Sequence, residues 1–138
     1  MSDEELERLR KQKLESYMKL QSLPQGIVKI HSPQEYQKLI NDYSDKIVII
    51  DFWAEWCAPC KIFAPVFEKL QNDYPHDFLF AKVNVDENSS LAQRFGITGI
   101  PTTAFVKNDN LIHKIVGTTN YDNMKQVLEK LKSKYDNH

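Results

Sequence analysis

The chain has 138 residues, 41% hydrophobic and 27% charged, a composition that suits one globular domain and excludes a disordered or membrane-embedded chain. With 18 basic against 19 acidic residues the net charge is -1, which offers nothing to attract nucleic acid or an anionic lipid surface. Two cysteines, Cys57 and Cys60, are too few to frame a disulfide-dense secreted domain.

Ser2 with Glu5 three residues on forms a capping box, which predicts a helix over the charged N-terminal stretch. Leu6, Leu9, Leu14, Tyr17, Met18 and Leu20 share one broad side of it, although Arg10 and Lys13 intrude. A short helix of this kind is expected to be solvated and only partly docked. Residues 2–22 hold five acids and five bases and no apolar core, so neither a secretory signal nor a mitochondrial transit peptide is read here. A reducing cytoplasm is the expected compartment. The composition changes near Leu23-Pro24-Gln25-Gly26, dividing the chain into an N-terminal helical extension, 1–25, and a domain, 26–138.

In the domain, Ile27 to His31 reads as a strand, and Ser32-Pro33 opens a helix reaching Tyr43. Lys46-Ile47 to Trp53 is an apolar run broken by a single acid, Asp51, as suits a strand buried on both faces. A helical pattern follows from Pro59 to Tyr74 (Ile62, Phe63, Val66, Phe67, Leu70), with Pro65 expected to kink it. Phe78 to Val85 is a further strand, and Ser89 to Phe95 a short helix ended by Gly96. Thr102–Val106 and Leu111–Val116 form a hairpin across Lys107-Asn108-Asp109-Asn110. Tyr121 to Tyr135 closes the chain as an amphipathic helix with Met124, Val127, Leu128 and Leu131 inward. Strands separated by helices imply parallel pairing and the hairpin implies antiparallel pairing, so the fold class is α/β with a mixed central β-sheet flanked by helices.

Cys57-Ala58-Pro59-Cys60 lies where the buried strand ends and a helix begins. Unpaired amides and the dipole of a helix N-terminus stabilise a thiolate, the form that attacks disulfides. Cys60, one turn on, can close a small disulfide with Cys57, and Pro59 stiffens the loop where no backbone donor is needed. A lone Cys-x-x-Cys supplies two of the four ligands of a structural zinc, and His31, His76, His113 and His138 are scattered. That counts against a metal half-site, and the intervening proline counts against cysteines that merely pack.

The segment Asp51-Phe52-Trp53-Ala54-Glu55-Trp56-Cys57-Ala58-Pro59-Cys60-Lys61 resembles the active-site segment of the thioredoxin family. The likeness extends from about Ile27 to Lys132 and includes Ala81-Lys82-Val83-Asn84-Val85-Asp86, Phe95-Gly96-Ile97, Gly99-Ile100-Pro101-Thr102 and Val116-Gly117, all in the family's order. The resemblance implies a thioredoxin fold carrying an extra N-terminal helix. It implies that Cys57 is the exposed attacking thiolate, Cys60 the buried resolving thiol, Asp51 the acceptor of the Cys60 proton, and Lys82 the cation that tunes Asp51. Burial of Asp51 without a full partner would raise its pKa toward that role. Ile100-Pro101 corresponds to the family's cis-proline loop, and with Trp56, Gly99 and Gly117 it would line a shallow groove for an extended target segment. Trp53 is read as packing. Ala58-Pro59 stands where Gly-Pro is commonest, which makes this dipeptide a tuning position for the redox potential. Asp109 stands at a turn position where glycine is usual.

The function implied is a protein disulfide reductase that cycles a Cys57–Cys60 disulfide, binds no other cofactor and no metal, and draws electrons from a thioredoxin reductase-like donor. Disulfide-containing proteins are the implied partners, with no nucleic acid or membrane, and the protein is expected to be a monomer. The alternatives are a disulfide oxidase or isomerase, which usually has histidine in place of Pro59, and a binding subunit without turnover.

Overall fold

The computed structural model describes residues 2–21, 24 and 26–136, with backbone alone for 16–21 and 136. Ile47 to Ile50 has no polar side chain, so a strand built from it needs apolar cover on both faces. It obtains that cover as β2 (Ile47–Trp53), the middle strand of five. The other strands are β1 (Val28–Ile30), β3 (Leu79–Asn84), β4 (Thr102–Lys107) and β5 (Asn110–Val116), in the spatial order β1-β3-β2-β4-β5. β1 and β2 pair parallel with β3, while β4 pairs antiparallel with β2 and β5. The helices are α1 (Asp3–Gln21), α2 (Pro33–Asp42), α3 (Ala58–Asp73), α4 (Ser89–Arg94) and α5 (Tyr121–Asp136).

The period of two along β2 distributes its side chains between two cores. Val48, Ile50 and Phe52 join Tyr36, Leu39 and Ile40 of α2 and Leu91 of α4. Ile47 and Ile49 join Phe63, Phe67 and Leu70 of α3 and Met124 and Leu128 of α5. Asp51 is in phase with Ile47 and Ile49, so its carboxyl lies on the face that α3 covers. Pro65 lies within α3, which runs unbroken from Ala58 to Asp73.

The hairpin turn forms with both Asn108 (φ 47) and Asp109 (φ 67) in the left-handed region, a conformation that short polar side chains tolerate better than other non-glycine residues. At the N-terminus the capping box forms in part, with Glu5 N–H donating to Ser2 Oγ at 3.2 Å. The expected partial docking of α1 is not present in its described half: Leu6, Leu9 and Leu14 are 39%, 44% and 57% exposed. Arg10 and Lys13 interrupt that stripe and keep it from making a continuous apolar contact. The side chains of Tyr17, Met18 and Leu20, and Leu23 and Gln25 at the expected domain boundary, lie outside the described residues. Among the described residues no helix is long and apolar enough to cross a membrane.

Candidate active site

β2 delivers the chain to one end of the sheet, where Cys57 takes the N-cap position of α3 in an extended conformation (φ -91, ψ 103). Its N–H donates to Ala54 O at 3.2 Å and its carbonyl accepts from Lys61 N–H at 3.3 Å. In the first turn, Ala58 and Pro59 precede Cys60, whose N–H donates to Cys57 Sγ at 3.2 Å. Cys57 and Cys60 are disulfide-bonded, with Cα atoms 5.3 Å apart. The expected contrast between an exposed Cys57 and a buried Cys60 is absent in this oxidised form, since the residues are 4% and 3% exposed. The N-cap geometry tucks Cys57 Sγ between the start of the helix and the loop opposite, 3.8 Å from the carbonyl oxygen of Ile100. The Ile100–Pro101 peptide is cis.

Asp51 is 1% exposed, and neither of its carboxylate oxygens has a hydrogen-bond partner. Burial pushes its pKa from the ordinary 3.8 up to about 7, against the opposing pull of the Lys82 ammonium. Lys82 comes from β3, directly in register with Asp51, and its Nζ lies 5.6 Å from the centre of the Trp53 ring. Trp53 is half-buried and packs against Ala54, Cys57 and Cys60, as a wall of the cysteine site rather than a member of the deep core. A small cavity of about 50 Å³ next to it is lined by Lys29, Ile30, His31, Trp53, Lys82, Asn84 and Glu87.

On the opposite side of the disulfide, Trp56 is 70% exposed and donates its indole N–H to Asp86 Oδ2 at 2.8 Å. It forms one side of an open cavity of about 410 Å³ completed by Val85, Ala92, Ile97, Thr98, Gly99 and Ile100. Trp56, Gly99 and Ile100 are thus brought together as expected. Pro101 and Gly117 do not line this cavity: Pro101 is buried, and Gly117 N–H donates to its carbonyl at 2.8 Å. That bond ties the end of β5 to the loop through Pro101. Val85, Ala92, Ile97 and Thr98 were not among the expected groove residues, although Val85 and Ile97 belong to segments that carry the family likeness. Among the described residues no group of three or more histidine, cysteine or acidic side chains is placed to hold a metal ion.

The family model described as thioredoxin matches residues 27–130. The chain belongs to the thioredoxin family. Thioredoxin of Chlorobaculum thiosulfatiphilum is 46% identical over 74 residues, 54% of this chain and 68% of that protein. Thioredoxin of Buchnera aphidicola is 41% identical over 85 residues, 62% of this chain and 78% of that protein. Among solved structures, thioredoxin of Malassezia sympodialis superposes with a TM-score of 0.71 at 38% identity, covering 80% of this chain and 95% of its own. Plasmodium falciparum thioredoxin gives 0.67 at 36% identity, covering 75% and 98%. Thioredoxins are protein-disulfide reductases, so this chain is a thiol–disulfide oxidoreductase with Cys57-Ala58-Pro59-Cys60 as its active-site segment. Neither the oxidase or isomerase alternative nor a binding subunit without turnover is favoured by these thioredoxin likenesses.

Proposed function

We propose that the chain reduces disulfides in other proteins through a two-step exchange in which each site residue has a distinct part. Cys57 thiolate attacks one sulfur of the target disulfide, forming a Cys57–target mixed disulfide and releasing the other target sulfur, which takes up a proton. The Cys60 thiol gives its proton to Asp51, and the resulting thiolate attacks Cys57 Sγ. That step forms the Cys57–Cys60 bond and releases the second target sulfur, which is protonated in turn. Two electrons pass from the dithiol to the target. A separate reductase of the thioredoxin-reductase type restores two electrons and two protons.

The observation that carries this reading is the Cys57 N-cap. Its Sγ already accepts the Cys60 N–H, and the same amide with the helix dipole favours negative charge on that sulfur once the disulfide opens. Asp51 supports the second step, because an acid held near pH 7 accepts and releases a proton with little cost at neutral pH. Lys82 pulls the Asp51 pKa down against burial, and Ala58-Pro59 sets the stiffness of the loop and with it the redox potential. An extended target segment would lie across Trp56, Gly99 and Ile100, with Pro101 and Gly117 holding that loop in place. We read the protein as a monomer working in a reducing cytoplasm.

The test is dithiothreitol-driven reduction of insulin by the wild type and by Cys57→Ser. The wild type should accelerate reduction well above the Cys57→Ser level. A wild type no faster than the variant overturns the reading.

A further inference from the structure

The wall of the 410 Å³ cavity opposite Trp56 is the short helix α4 and the turn after it, which contribute Ala92 and Ile97. Six residues make a weak helix by themselves, so something else must hold this wall. Its N-cap, Asn88, makes no side-chain capping bond, but its amide reaches Ile30 O on β1 at 3.4 Å. The other end is held more strongly, by a side chain from the far hairpin.

Asp109 sits in the β4–β5 turn with its backbone in the left-handed region. Arg94, the last residue of α4, places one Nη2 nitrogen 2.6 Å from each of the Asp109 carboxylate oxygens. Tyr36 of α2, itself fully buried, donates its hydroxyl to Asp109 Oδ1 at 2.7 Å. The Arg94 guanidinium also lies 5.2 Å from the centre of the Tyr36 ring and 5.6 Å from that of Phe95. Phe95 in turn meets Tyr36 edge-on and touches Phe52 of β2, next to Asp51. A carboxylate shared between a cation and a buried hydroxyl is a strong and directional acceptor. Burial and hydrogen bonding to Asp109 raise the Tyr36 phenol above its ordinary value, so it remains a donor throughout.

We infer that Asp109, Arg94 and Tyr36 act together as positioning residues for the reduction of protein substrates, clamping α4 so that Ala92 and Ile97 hold the cavity wall that a target segment packs against. The three come from α2, α4 and the hairpin, so the clamp ties the wall to elements on either side of it. Ile97 N–H donates to Ala92 O at 2.9 Å, which makes the wall move as one piece with the helix end that Arg94 fixes. None of the three touches the sulfurs, so the clamp acts on binding of an extended polypeptide and leaves the exchange chemistry alone.

This inference rests on the cavity being the target-binding surface. The experiment compares wild type with Asp109→Gly, whose φ suits glycine, and with Arg94→Met and Arg94→Lys. Each is assayed in the presence of dithiothreitol against insulin and against hydroxyethyl disulfide, a substrate too small to use the cavity wall. Asp109→Gly and Arg94→Met should raise the insulin KM about three- to tenfold at nearly unchanged kcat. Reduction of hydroxyethyl disulfide should stay at the wild-type rate, and Arg94→Lys, which keeps the charge pair, should recover most of the insulin KM. Amide exchange of Ala92 to Ile97 should accelerate in the same two variants. An insulin KM equal to wild type in both, whatever the melting temperature does, overturns the clamp. Equal losses on both substrates overturn it too, because they place the defect at the sulfurs. A wild type that reduces neither substrate refutes instead the proposed reductase function. Should Asp109→Gly fail to fold, Arg94→Met at the exposed partner decides alone.

Discussion

Replacing Asp51 with asparagine should make the protein more stable at alkaline pH and leave it unchanged at acid pH. The carboxyl is 1% exposed, has no hydrogen-bond partner, and is pushed by burial from 3.8 to about 7. Between those two values the native state holds a proton that the unfolded chain has released, so stability falls as pH rises through that window and is level above it. About three powers of ten in the ionisation constant correspond to about 4 kcal/mol at about 1.4 kcal/mol each. Asparagine cannot ionise and escapes that loss. Urea unfolding of the oxidised protein should therefore show Asp51→Asn more stable than wild type by about 4 kcal/mol near pH 8.5, with the gain shrinking toward zero near pH 4. A gain independent of pH, or a destabilisation near pH 8.5, would refute the account of Asp51 as a buried, unpartnered carboxylate. The same variant should reduce insulin slower by on the order of 10²-fold, the usual worth of a positioned proton acceptor.

Lys82→Met removes a charge that opposes burial at Asp51. Asp51 then keeps its proton to higher pH, so the midpoint at which insulin reduction rises with pH should move upward; an unmoved midpoint would show that Lys82 does not tune the acceptor. Phe67 is fully buried and meets Phe80 edge-on at 5.4 Å between ring centres, and Phe67→Ala should cost about 3–5 kcal/mol in urea unfolding. A cost below about 1 kcal/mol would mean that the α3–sheet core repacks freely. Deleting residues 1–25 should change unfolding free energy by less than about 0.5 kcal/mol and leave insulin reduction at the full-length rate, since Leu6, Leu9 and Leu14 stand exposed. A deletion that slows reduction would assign the prefix a part in turnover.

What sequence reading could recover followed the length scale of each signal. The apolar run of β2, the Cys-x-x-Cys at its end and the odd acid within it are local patterns, and all three lie where the pattern put them. The parallel pairing of β1, β2 and β3 was legible because only a helix-long connection separates each strand from the next. The cavity was only half legible. Val85, Ala92 and Ile97 look like ordinary core residues in sequence, and they become a surface only because β3, α4 and the loop before Pro101 stop at the same edge. Gly117 shares the family position of a groove residue, yet its part here is a backbone bond to Pro101. In sequence Asp109 stands out only as a turn residue where glycine is usual. Its partners stand 15 and 73 residues away, beyond any periodicity, so its carboxylate could not be matched to Arg94 and Tyr36 before the fold brought them together. The leucines of α1 show the opposite failure, an amphipathic pattern with no surface beneath its described half.

The direction of β1 has a practical corollary. Because it runs parallel to β3, and β3 parallel to β2, its first residue, Val28, lies level with Ala81 and Ile50, and the strand runs from there toward the end of the sheet that carries Trp53 and the disulfide. The strand is therefore entered from the side away from the sulfurs, with Ile27 just before it packed against the core that α3 and α5 cover. A fluorophore, an affinity handle or a solid support grafted to that side would leave the Trp56 edge turned outward, free to meet its disulfide.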